Sequence, residues 1–444
     1  MKSLKLCTII VLAAVLLFCS FIVFAGGAQE AKAKKTEITL YTKAGLWIGF
    51  IRDSRIIEDF QERMLKEKGI EVVVNTQTAP HEGYGTKQVT DMAAGSAGDV
   101  LWVDSENGAM YRETEMLLDL TPFVKKWPDW KHIYPSLQKM YEWDGKYWAI
   151  ANDAATLMIY HRKDLFKKAG LALPWQPETW DDVIEAGLKL KSALPELDII
   201  MEPYYEHQLP VYSDGGNIFD AKDGKWVKNS KSIHYMFQLY HDIFFKYELT
   251  PKEFKLEKWD DRKMFADATL PMMIDGTWCY SEKWGPNSSR PIEDRPNIVG
   301  YAHTPRSKRV GATTPHGKYP NALRDWAWAI NAECKEPELA FELIKEILKP
   351  KHNAKWGLDT AHLIARDDAL IGDYAADPFM KWATSCLEYA VPKPFSPDFK
   401  RYNDSLKEVL DNYLVELGKS ADESVKRFGE LLTEKIGADK LKDM

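Results

Sequence analysis

Three short stretches near the start of the folded chain constrain its architecture most. In "TEITLY" the apolar Ile38 and Leu40 alternate with polar neighbours, as on a half-buried strand. "SRIIEDFQERMLKEKG" then places Ile56, Ile57, Phe60 and Met64 at helical spacing and stops at Gly69, and "IEVVV" returns to strand. The alternation continues downstream. "DVLWV" reads as a buried strand, "TWDDVIEAGLKLK" opens with Thr179 and Asp182 at capping-box spacing, and "RDWAWAIN" is another strand. "EPELAFELIKEIL" and "SLKEVLDNYLVEL" are amphipathic helices, the second carrying Leu406, Val409, Leu410, Tyr413, Leu414 and Leu417 on one stripe. Strands and helices that alternate in this way define an α/β chain. At 444 residues it exceeds what one core holds, since single cores stop growing near ~250–300 residues, so two lobes are expected.

The first thirty residues belong to a different kind of segment. Lys2 and Lys5 precede an apolar run from Leu6 to Phe24, and Val23-Phe24-Ala25 fits the small-residue cleavage rule of a secretory signal. The expected division is a signal peptide over 1–25 and a flexible tether over 26–35, "GGAQEAKAKK" having nothing to bury. An uncleaved membrane anchor is the alternative, because the run approaches the ~20 residues that span a bilayer. The protein is thus expected to be exported, to a periplasm or a cell surface.

Charge and motifs exclude several functions. Lys and Arg number 59 against 66 Asp and Glu, a net charge of −7 with no basic patch to attract nucleic acid. Beyond the signal only Cys279, Cys334 and Cys386 remain, which could close one disulfide at most and include no CxxC pair. "GATTPHGKY" fails as a phosphate loop: five residues separate Gly311 from Gly317, and Tyr319 stands where a hydroxyl for Mg²⁺ is needed. The ten histidines form no His-Glu-x-x-His helix; His234 and His241 lie two turns apart on a helix-like stretch. No GxSxG elbow is present, so nothing local marks a nucleophile, and no cofactor or metal ion is expected. Paired carboxylates, as glycosidases use, stay open.

The aromatic content points further. Sixteen Trp and twenty Tyr recur beside Gly, Pro or acidic residues at predicted strand ends, as in "AGLWIGF", "EPYYEHQ" and "LRDWAW". "PMMIDGTW" reads as a strand, a turn at Asp275-Gly276 and then Trp278 at the mouth of whatever the strand supports. An aromatic face against the C–H face of a sugar buries apolar area while carboxylates take the hydroxyl hydrogen bonds. Core packing is the competing role for any one Trp.

Taken in order, these segments resemble the extracellular solute-binding proteins of ABC importers, the group that includes maltose-binding protein. The likeness covers nearly the whole chain beyond the signal: "ITLYT", "IIEDFQERMLKEKGIEVVV" and "MAAGSAGDVLWVDSENGAMYRETEMLLDLTPFV" follow the first lobe, and "DGKYWAIANDAATLMIYHRKDLFKKAGL" resembles the crossing strand. "PETWDDVIEAGLKLK", "MEPYYEHQLPVYSDGGNIFD" and "FADATLPMMIDGTW" are similar to a later helix, a ligand loop and a ligand-platform segment. His161-Arg162 departs from the usual Asn, and Ala149-Ile150-Ala151 lacks the common Pro. The resemblance implies two hinged α/β lobes around a cleft, lobe 1 over 36–150 with 306–375 and lobe 2 over 151–305 with 376–444. It implies a carbohydrate ligand, an oligosaccharide or other sugar, and membrane permease subunits as partners of a monomer. By the same resemblance the ligand-binding residues are Trp47, Asp104, Glu106, Asp153, Glu202, Tyr204, Tyr205, Trp278 and Trp326, with Phe399 and Tyr402 near a loosely aligned aromatic position. Asp99, Gly215 and Gly216 are structural. Two alternatives remain at this level, a secreted glycoside-active enzyme and the same fold holding a non-sugar solute.

Overall fold

The computed structural model describes residues 34–203, 206–254 and 260–444. The signal segment, most of the tether and Tyr204 and Tyr205 lie outside the described residues. The first strand, β1 (Lys34–Lys43), starts two positions before "TEITLY" and so takes in the end of the expected tether. It leads through α1 (Leu46–Asp53) and α2 (Ile56–Lys68) to β2 (Ile70–Ala79), which pairs parallel to it along its whole length. Helix α2 buries Ile56, Phe60 and Met64 and ends at Gly69, whose φ of 65° is the left-handed cap that glycine adopts without steric cost. β3 (Val100–Val103) pairs parallel to β1 on its other side and runs into α3 (Ser105–Glu113).

The strand that organises the molecule is β4 (Ile150–Arg162), thirteen residues long and buried throughout. Farther along come α4 (Trp180–Ala193), which carries the expected Thr179/Asp182 capping box, and the short β5 (Met201–Glu202). Then follow α5 (Lys231–His241), β6 (Met272–Gly276), β7 (Val299–Ala302) and β8 (Asn321–Ile330). The chain closes with α6 (Pro337–Ile347), α7 (Pro350–Thr360), β9 (Leu363–Ile364), α8 (Pro378–Ser385), β10 (Ala390–Val391), α9 (Asp398–Glu408) and α10 (Ala421–Ile436). The main sheet runs β2-β1-β3-β8-β4-β6-β5, with β7 and β9 also on β4 and β10 on β8.

β4 belongs to both halves of this sheet. Its residues 150–156 pair with β8 and β9, and its residues 157–162 pair with β6 and β7. The neighbours therefore change between Thr156 and Leu157. At that point the buried Asn321 side chain takes the backbone ladder's place: its Oδ1 accepts from Leu157 N at 2.9 Å and its Nδ2 donates to Leu157 O at 2.6 Å. β8 thus joins β4 at this same point through Asn321.

Two local readings change. Asp275 and Gly276 are not a turn but the end of β6, and the chain turns at Thr277-Trp278. The stripe of the second amphipathic helix is broken, because α9 passes into a π-helical segment over Val409–Glu416. The wider turn rotates the face, so Leu410 and Leu414 stay buried while Leu417 is left 62% exposed. Cys279, Cys334 and Cys386 are all free thiols. Among the described residues no helix is long and apolar enough to cross a membrane.

Candidate ligand-binding cleft

The carboxyl ends of β1, β3 and β6 and the segments that follow them converge on one opening, the place where open α/β sheets bind ligands. From the first half of the sheet come Trp47 on α1, His81 beyond β2 and Trp326 on β8, with Lys43, the last residue of β1, packed against two of these indoles. From the second half come Trp278, Glu282 and Lys283 beyond β6, with Arg262 behind them. Trp47, Trp278 and Trp326 share one cavity of about 130 Å³ with His81 and His362, and Arg262, Glu282, Lys283 and Arg324 complete its wall. Glu282 also lines a wider groove of about 760 Å³ that opens between α1 and α7 on one side and residues 280–295 on the other.

Each indole is held from behind. Trp47 stacks on His81 with ring centres 5.4 Å apart and planes 13° from parallel. Trp326 stacks on the buried Trp102 at 5.7 Å and 11°, and a bulge in β8 between Trp326 and Ala327 sets its position opposite Asp153. Trp278 lies 6.0 Å from His362 at 29°, with the Arg324 guanidinium 5.9 Å from its ring. Its indole folds back over Gly276, where a Cβ would meet the ring at 2.0 Å. That close approach is why glycine stands there. At 8% exposure Trp278 is more deeply set than a platform at the mouth.

The carboxylates expected from the resemblance take other partners. Asp104 caps α3, accepting from Asn107 N at 2.7 Å and from its side-chain amide, and burial beside Glu106 raises its pKa. Asp153 is fully buried in β4, where it accepts from Asn152 Nδ2 and Trp356 Nε1, and burial pushes it up as well. Glu202 is also fully buried, on β5 opposite Met273, and does not line the cavity. Glu106 joins a closed ionic network. Lys393 Nζ lies 2.7 Å from Glu106 and 3.1 Å from Glu206, and Arg324 bonds Glu206 from the other side. Burial opposes ionisation of Glu206, but Lys393 and Arg324 overcome it and hold the group down at about 2. Asp325 sits behind the network, accepting from Ser105 N and Oγ and from the Tyr141 hydroxyl, and burial raises it to about 7. Phe399 and Tyr402 pack on Trp226, with the Lys393 ammonium 5.2 Å from the Phe399 ring, and neither lines the cavity.

Lys43 is the residue that sequence reasoning missed and that changes the site's character. It is 3% exposed, and its ammonium is 3.6 Å from the Trp326 ring centre, 5.1 Å from Trp47 and 5.4 Å from Tyr84. Burial lowers its pKa to about 8, against the pull of Asp104, Glu282 and Asp153. His81, His362, Arg324, Glu206 and Lys393 were also missed. Of these only Lys43 had a local signal, its place in "YTKAGLW" directly between a strand end and Trp47.

A two-lobed α/β molecule with an aromatic cavity across its central strand is a ligand-binding protein in form. Residues 52–354 match the profile of the bacterial extracellular solute-binding proteins, and the chain belongs to that family. An arabinooligosaccharide-binding protein of Bacillus subtilis is 24% identical over 253 residues, 54% of this chain and 55% of that protein, so the chain spans about half the length of this curated relative. The fold is similar to that of the GacH receptor of Streptomyces glaucescens, solved unliganded and with acarbose (TM-score 0.73, 16% identity, 91% of this chain and 99% of that one). It is also similar to a solute-binding protein of Thermotoga lettingae bound with α-D-tagatose (TM-score 0.72, 19% identity, 91% and 100%). At such identities the likeness establishes the two-lobed fold.

Proposed function

We propose that this protein is the substrate-binding component of an ABC importer, which captures a carbohydrate, most readily an oligosaccharide, between its lobes and delivers it to membrane permease subunits. The observation that carries this reading is the meeting of Trp47 and Trp326 with Trp278 across one cavity, since rigid aromatic faces drawn from both sides stack a sugar ring and reward closure. The adjoining groove of about 760 Å³ lies within the ~300–1,000 Å³ of ligand clefts and leaves room for further sugar units. The division between lobes falls at Thr156/Leu157 and Asn321, the chain acts as an exported monomer in a periplasm or at a cell surface, and the N-terminal segment directs export. Binding without turnover is supported by the engagement of Asp104, Asp153 and Glu106 with Asn107, Trp356 and Lys393, which leaves them no role as an acid–base pair across the cavity.

A thermal-shift screen over neutral and acidic mono- and oligosaccharides tests this, because a ligand that binds only the folded state raises Tm. At least one saccharide should raise it and reduce the radius of gyration in solution scattering. No shift with any saccharide would remove the proposal, and release of reducing ends from the bound sugar would move the protein to the glycoside-active class.

A further inference from the structure

We infer that the ligand is an acidic saccharide, one carrying a carboxylate such as a uronic-acid oligomer, and that Lys43 receives that carboxylate. The inference rests on the carbohydrate reading above and narrows it. Among the described residues, the Arg and Lys side chains that line the cavity each face a carboxylate: Arg262 bonds Asp275 at 2.7 Å, Lys283 pairs with Glu282, and Arg324 pairs with Glu206. Lys43 has no carboxylate oxygen within ion-pair distance and no hydrogen-bond acceptor for its ammonium among the described residues, although it is as buried as a core side chain. The indole N–H of Trp47, whose ring lies 5.1 Å from the same ammonium, also has no acceptor there.

A buried ammonium without an ion-pair partner, packed against two indoles that line the cavity, is an arrangement that folding alone disfavours, since a buried charge is costly unless paired. The aromatic rings offset part of that cost through their negative faces, which hold the ammonium in place without neutralising it. The carboxylates nearest in influence do not substitute for a partner: Asp104 is spent on Asn107, Glu282 on Lys283, and Asp153 on Trp356 and Asn152. A neutral sugar hydroxyl would satisfy the hydrogen bonds but leave the charge uncompensated. A carboxylate satisfies both, with Trp326 and Trp47 flanking the sugar ring that bears it.

The test is calorimetric titration of the purified protein with oligogalacturonate, alginate oligomers and glucuronoxylan oligomers, each beside its carboxyl-reduced counterpart. At least one acidic oligomer should bind about tenfold or more tighter than its reduced form, and the advantage should shrink as salt rises. Lys43→Met should abolish the difference, while Lys43→Arg should keep part of it. The comparison of acid with reduced sugar needs only the wild-type protein, so it decides the matter even if a variant fails to fold. Equal or tighter binding of the reduced forms, or binding of neutral saccharides alone, overturns the inference and leaves the carbohydrate reading standing. Failure of every saccharide, acidic and neutral, removes both.

Discussion

Lys43 and Lys393 stand beside the same cleft at 3% and 5% exposure, and their surroundings could hardly differ more. Lys393 lies between Glu106 and Glu206, whose charges outweigh burial and the nearby Arg324 and raise its pKa. Lys43 lies among Trp47, Tyr84 and Trp326, where burial dominates and lowers it to about 8. Equal burial thus gives opposite shifts, and the chemistry of the neighbours decides the sign. One lysine closes a network that is complete without ligand. The other leaves a charge for a ligand to complete.

The comparison breaks or sharpens at several points. Lys393→Met strands Glu106 without its cation and leaves Glu206 only Arg324, and should lower unfolding stability by about 3–5 kcal/mol in urea. Lys43→Met removes an unpaired charge and should leave stability unchanged or raise it; equal losses in the two variants would erase the distinction. Trp278, with the network's Arg324 over its ring, should lose at least ~30-fold in sugar affinity as Trp278→Ala. Because the indole is 8% exposed and packs on Gly276, that variant should also lose about 3 kcal/mol of stability, unlike a purely peripheral platform.

Titration separates the regions with smaller effects. The unfolded chain holds the Lys43 proton up to about 10.5 and the folded protein releases it near 8, so this residue should make stability rise between those values. The rise, read from denaturant midpoints, should be absent in Lys43→Met. Glu206 works at the other end: its pKa falls from 4.5 to about 2, so its stabilisation is present above 4.5 and is lost as pH drops toward 2. Glu206→Gln should flatten that acid limb. The least effect is expected at Lys283→Gln, whose partly exposed pair with Glu282 is worth less than ~1 kcal/mol.

Much of the scaffold was legible because it is written in local patterns. The helical spacing of Ile56, Phe60 and Met64, the Gly69 stop and the Thr179/Asp182 box each reappear in the structure. Local pattern misled where a long-range contact took over: Asp275-Gly276 has turn composition, but Arg262 binds Asp275 and the Trp278 indole needs the bare Gly276 backbone. The indoles Trp47, Trp278 and Trp326, expected in the site from the family resemblance, line one cavity. The acidic residues rest on the same resemblance, and the partners that occupy two of them, Trp356 for Asp153 and Lys393 for Glu106, lie hundreds of positions away. Lys43 had a local signal in "YTKAGLW", but the rings that surround it include Tyr84 and Trp326, which no single window of sequence brings together with it.

The placement of β4 has a consequence for how the molecule comes apart. All thirteen of its residues are buried, and its two halves are hydrogen-bonded to different sets of strands. Neither half of the sheet can come apart without pulling out a strand that the other shares, so heating should give one calorimetric transition in place of two. The amides of Ala154–Ile159 should be among the last to exchange with deuterium, protected by the free energy of global unfolding even where the rims of both lobes open freely.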